Sequence, residues 1–148
     1  MNQLKPILLV EDSAKDVEMT LAAWKRNNLS NEVVVARDGV EALDYLFRRG
    51  KFKDRAEGQP VAVFLDLKMP RLDGLEVLRQ MKETDSLRML PVVMLTSSRE
   101  ESDLVASYQL GANAYVVKPV GFEQFVDAVG RLGMFWAVLN EPPPVTPA

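Results

Sequence analysis

Short apolar runs and longer amphipathic stretches take turns along the chain. Ile7 to Val10 is the first run, too short for a helix and apolar at every position, as a strand buried on both faces should be. Ser13 followed by Asp16 has the spacing of a capping box, and opens a helix with Ala14, Val17, Leu21 and Trp24 on its apolar face. Asn27 and Asn28 end it. The β-branched Val33, Val34 and Val35 form a second strand, and Asp38 and Gly39 lead into a helix that buries Val40, Leu43, Leu46 and Phe47 and stops at Gly50. Residues 51–60 are charged and aperiodic and read as an exposed loop.

A third run, Val61 to Leu65, ends at Asp66, and after Gly74 a helix turns Leu75, Leu78 and Met81 inward. Pro91 precedes a fourth strand, Val92 to Leu95, ending at Thr96. Ser98 and Glu101 repeat the capping-box spacing before a helix whose apolar positions are Leu104, Val105 and Tyr108 and which closes near Gly111. Ala114 to Val117 is the fifth strand, ending at Lys118 and Pro119. The last helix starts near Gly121, with Phe122, Phe125, Val126, Val129, Leu132 and Trp136 along one face. Strands alternating with helices through short links imply an α/β fold, a parallel sheet covered on both faces and built from right-handed crossovers.

Length and composition narrow the possibilities. With 148 residues and a formal net charge of −3, the chain suits one soluble domain. It contains no cysteine and no histidine, which excludes disulfides, thiolate metal sites and Ser-His or Cys-His catalysis. Any metal must be held by oxygen. The acidic balance disfavours nucleic acid as a partner, and the basic cluster Arg48, Arg49, Lys51 and Lys53 reads as a solvated loop. No apolar stretch is long enough for a signal-peptide core or a membrane span, so the expected location is the cytoplasm.

Polar side chains sit where the strands stop: Glu11 and Asp12 after the first, Asp66 after the third, Thr96 after the fourth and Lys118 after the fifth. Open α/β sheets bind ligands at the carboxyl ends of their strands, at the point where strand order reverses. With the first and third strands adjacent there, Glu11, Asp12 and Asp66 would share one crevice. Like charges so close need a cation, and carboxylates with a backbone carbonyl and waters suit Mg²⁺. An aspartate beside Mg²⁺ can attack phosphorus and form an acyl phosphate, with Lys118 and the Thr96 hydroxyl holding the phosphoryl oxygens.

These residues resemble the receiver domain of response regulators, over residues 5–140, with residues 141–148 as a proline-rich tail. The matching pieces are Ile7 to Asp12, Phe64 to Gly74 (FLDLKMPRLDG), Val92 to Ser97 (VVMLTS) and Gly111 to Pro119 (GANAYVVKP). The resemblance implies a flavodoxin-like, doubly wound five-stranded sheet of order 2-1-3-4-5 in a three-layer α/β/α arrangement. It implies that Asp66 accepts a phosphoryl group from a sensor histidine kinase, and that Asp12, Glu11, Asp66 and the Lys68 main-chain carbonyl hold Mg²⁺. Thr96 and Tyr115 would be the switch pair, making the fourth helix, fifth strand and fifth helix the output surface. Pro119 resembles the family's cis proline, which would aim Lys118. Glu11 stands where aspartate is commoner in the family, and Lys68 lies where a side chain often sets phosphoryl lifetime.

The expected function is therefore a stand-alone response regulator, an acceptor with self-catalysed phosphoryl transfer and autodephosphorylation and no other enzymatic role. Alternatives are a phosphorelay intermediate that passes the group to a histidine phosphotransfer protein, and a phosphatase of the haloacid-dehalogenase type. The latter usually carries an acid two residues after its nucleophile, where this chain has Lys68. At the carboxyl end, Met134, Phe135, Val138 and Leu139 widen the apolar stripe, and Phe135, Trp136 and Leu139 are expected to form a homodimer interface. Phe135, Trp136 and Leu139 to Pro142, with the charged loop, further resemble response regulators that serve phytochrome kinases. Pro142, Pro143 and Pro144 read either as a disordered end or as a strap over a partner.

Overall fold

The computed structural model describes residues 4–144 and consists of five strands and five α-helices in alternation. The strands are β1 (Ile7–Val10), β2 (Val33–Ala36), β3 (Ala62–Leu65), β4 (Val92–Thr96) and β5 (Ala114–Val117), all parallel in the order β2-β1-β3-β4-β5. The helices are α1 (Ala14–Arg26), α2 (Gly39–Phe47), α3 (Gly74–Lys82), α4 (Glu101–Gln109) and α5 (Phe122–Met134). This is the expected fold and order.

Side chains alternate between two cores. Leu8, Val10, Val63, Leu65 and Met94 face Leu43, Leu46, Leu78 and Met81 of α2 and α3. Ile7, Leu9, Phe64, Val93 and Leu95 face α1 and α5 through Trp24, Phe125 and Val129. Trp24 lies tilted against Phe64, ring centroids 5.1 Å apart, and its indole N–H donates to the Val129 carbonyl at 2.8 Å. That bond satisfies a buried donor and locks α1 to α5.

Several local expectations give way to tertiary contacts. Ala14 and Leu21 are exposed, and the inner face of α1 is Val17, Thr20, Ala23 and Trp24. Helix α2 stops before Gly50, at Arg48, which takes a left-handed φ of 55°. Residues 51–60 are organised by Arg55, whose guanidinium donates to the carbonyls of Tyr45, Ala56 and Gly58 and stacks 4.2 Å above the Tyr45 ring. Phe122 points to solvent at the start of α5. Ser98 does not cap α4; its hydroxyl reaches Asp103 instead. The Lys118–Pro119 bond is trans, the form that X–Pro bonds favour by about 0.5–1 kcal/mol.

Helix α4 is the least conventional element. Leu104, Val105 and Tyr108 are 38%, 46% and 51% exposed, while the buried positions are Asp103 and Ser107. At the other end of the molecule, α5 passes into a wider turn of π-helix, Phe135–Leu139. There Trp136 packs on the core shared by α1 and α5, while Phe135 and Leu139 are exposed. Trp136 thus completes this chain's own core rather than an outer face. Pro142 and Pro143 line a groove with Phe47, Met89 and Pro91 of the same chain at the amino-terminal edge of the sheet. The described part of the tail therefore lies on its own domain; residues 145–148 of the tail fall outside the described residues.

Candidate phosphoacceptor site

Strand register gathers the site. Val10 pairs with Leu65, and one step on, the Asp66 N–H donates to the Val10 carbonyl at 3.0 Å. The Glu11 N–H likewise reaches the Ala36 carbonyl at 2.9 Å, and the Lys118 N–H reaches the Thr96 carbonyl at 2.8 Å. Glu11, Asp66, Thr96 and Lys118 are thereby fixed by ladder bonds at one edge of the sheet. Glu11, Asp12 and Asp66 can each present an oxygen within 4.8 Å of the others. Hard divalent cations take carboxylate oxygens in that arrangement, so the donor set fits a divalent cation of that class.

In this structure the Lys118 ammonium balances the carboxylates. It lies 2.5 Å from Glu11 Oε2, 2.8 Å from Asp16 Oδ2 and 3.4 Å from Asp66 Oδ2. Burial pushes the Glu11 carboxyl up to about 7, with Asp66 adding to the rise and Lys118 opposing it. Burial works against the charge of Lys118 too, but the hydrogen bonds to Asp16 and Glu11 and the field of Asp66 outweigh it and hold the ammonium above the ordinary lysine value. Asp66 Oδ1 also accepts from the Leu67 N–H at 2.7 Å, which orients the carboxylate.

Asp16 belongs to this cluster and sequence reasoning gave it a different task. Its backbone N–H does bond Ser13 Oγ, as a cap requires, but its carboxylate turns to Lys118. The signal was available: side chains in a first helical turn lean back toward the amino terminus, here toward Glu11 and Asp12. Gly74 has its own reason for being glycine, since a Cβ there would overlap the Asp66 carbonyl oxygen.

Thr96 is fully buried, and its hydroxyl accepts from the Ser98 N–H at 3.2 Å. The half-buried Tyr115 donates its hydroxyl to the Ser98 carbonyl at 3.1 Å. Lys68, beside Asp66, is exposed and its ammonium points to Asp103 at 3.6 Å. Phe135, Trp136 and Leu139 follow the last helix and take no part in this cluster.

Comparison with known proteins agrees with this architecture. The model of the response regulator receiver domain matches residues 7–130. Response regulator Rcp1 of Synechocystis sp. is 36% identical over 135 residues, which cover 91% of this chain and 90% of Rcp1. The solved Mn(2+)-bound form of Rcp1 superposes with a TM-score of 0.88 at 34% identity, covering 95% of this chain and 99% of that one. The phosphorylated cyanobacterial phytochrome response regulator RcpA gives 0.89 at 34% identity over 96% of this chain and all of its own. The bacteriophytochrome response regulator RtBRR is 64% identical, with a TM-score of 0.77 over 96% of this chain and 86% of that one. No helix among the described residues is long and apolar enough to cross a membrane.

Proposed function

Since the chain belongs to the response regulator receiver family and is a signalling protein rather than a classical enzyme, we propose that Asp66 is its phosphoacceptor and that a phytochrome histidine kinase is the donor. The observation that carries the first part is the position of Asp66 at a strand end, between the carboxylates of Glu11 and Asp12 and the Lys118 ammonium. The names of RtBRR and RcpA, both response regulators of phytochrome type, support the second.

An Asp66 oxygen attacks the phosphorus of a phosphohistidine; the new O–P bond forms as the P–N bond breaks, and the imidazole nitrogen takes up a proton. Lys118 is close enough to leave Glu11 for a phosphoryl oxygen, and the Thr96 hydroxyl would give up Ser98 for another. Mg²⁺ held by Glu11, Asp12, Asp66 and the Lys68 carbonyl would neutralise charge on the phosphoryl group. Loss of the Ser98–Thr96 bond would free the loop that also anchors Tyr115, which is how the change would reach the surface of α4, β5 and α5. Water attack on the acyl phosphate would return the domain to its resting state. Exposed Phe135 and Leu139 support a homodimer through the carboxyl end of α5.

Labelling by acetyl phosphate or a phosphorylated phytochrome kinase, read on a phosphate-affinity gel in Mg²⁺, tests the assignment. Wild type is expected to shift and Asp66→Asn to remain unshifted; labelling of the variant overturns the role of Asp66.

A further inference from the structure

Asp103 is a carboxylate buried where α4 meets the site, and the phosphoryl-transfer chemistry leaves it without a task. It is 8% exposed, and one oxygen, Oδ2, takes both the Ser98 hydroxyl at 2.6 Å and the Lys68 ammonium at 3.6 Å. Ser98 in turn uses its N–H for the Thr96 hydroxyl and its carbonyl for the Tyr115 hydroxyl. Through two side chains, one carboxylate thus meets the loop carrying the acceptor and the residue binding both members of the switch pair.

We propose that Asp103 is a positioning residue that parks Lys68 away from the phosphoryl site and holds the Ser98 loop in its resting arrangement. The inference rests on Asp66 being the phosphoacceptor. Phosphorylation replaces the single charge of the Asp66 carboxylate with a phosphoryl group carrying about −1.5 to −2, which competes with Asp103 for the same ammonium. Lys68 is exposed on a flexible stem, so its release needs no change in the fold. Coupling is reciprocal: contacts that Asp103 makes only in the resting arrangement must weaken phosphoryl binding, and their loss must strengthen it.

Titration of beryllofluoride, a phosphoryl mimic, into the Mg²⁺-loaded full chain by calorimetry reads that coupling. Asp103→Asn keeps an oxygen for Ser98 and removes only the charge, so folding is expected to survive. An ion pair open to solvent at its Lys68 end sets the scale, and affinity is expected to rise about two- to fivefold. In a Lys68→Ala background the same substitution is expected to change affinity by less than about half that, and ~1 M salt should erase the gain in the single variant. Unchanged or weakened affinity in Asp103→Asn overturns the proposal, as does a gain of equal size without Lys68. A wild type that takes up no beryllofluoride overturns the phosphoacceptor reading, and this inference with it.

Discussion

Asp38 shows how one charge can tie two loops together. Its Oδ1 caps α2 by accepting the Glu41 N–H at 2.8 Å, and its Oδ2 pairs with Arg71 of the β3–α3 loop at 2.7 Å. Burial works against the carboxylate, but these hydrogen bonds outweigh it and lower its pKa below the ordinary 3.8. The unfolded chain therefore binds this proton at a higher pH than the folded chain does. Its stabilising contribution is complete above the unfolded value and fades as pH falls through the folded one. Thermal melts between about pH 5 and pH 2 should lose Tm more steeply in wild type than in Asp38→Asn, where the amide still caps but carries no charge. Parallel curves would remove the ion pair as a source of acid stability. At this scale Glu11, Asp12, Asp66, Thr96 and Lys118 were legible, because their places follow from strands that stop where the apolar runs stop. Asp16 and Asp103 were not, because the lysines they meet, Lys118 and Lys68, lie more than one element away along the chain.

Between elements, close approach decides more than propensity. A Cβ on Gly133 of α5 would overlap the Trp24 indole, which cannot yield without losing its bond to Val129. Helix propensity alone favours alanine there by about 1 kcal/mol. Overpacking costs about 1–3 kcal/mol and should win. Gly133→Ala is expected to lower Tm by roughly 2–8 °C in a calorimetric scan, whereas an increase would mean that α5 can slide off α1 at little cost. The strands and the helices α1, α2, α3 and α5 could be read from their periodic patterns. Helix α4 could not, because its buried Asp103 and Ser107 and its exposed Leu104, Val105 and Tyr108 run against the usual pattern. Ser107 carries a buried hydroxyl without a hydrogen-bond partner among the described residues, a cost of about 1–3 kcal/mol that local rules would never place there. The Arg55-centred loop escaped for a related reason: its bonds to Tyr45 span 10 residues and leave no periodic trace.

The whole molecule has two unlike ends. The acidic site and Lys118 occupy the carboxyl edge of the sheet, and α5, 13 residues and so ~20 Å long, carries the chain to the other edge. There Leu139 is 72% exposed beside Phe135. Light scattering is expected to give a dimer mass for wild type and a monomer mass for Phe135→Ala with Leu139→Ala, with Trp136 left in place because it belongs to the core. A double variant that keeps the dimer mass would move the interface elsewhere. If the pair does join through this end, the consequence lies with the donor. Both acceptor sites would face outward, so a kinase that had charged one copy could charge the second without the pair coming apart, and singly and doubly loaded pairs could exist as separate signals.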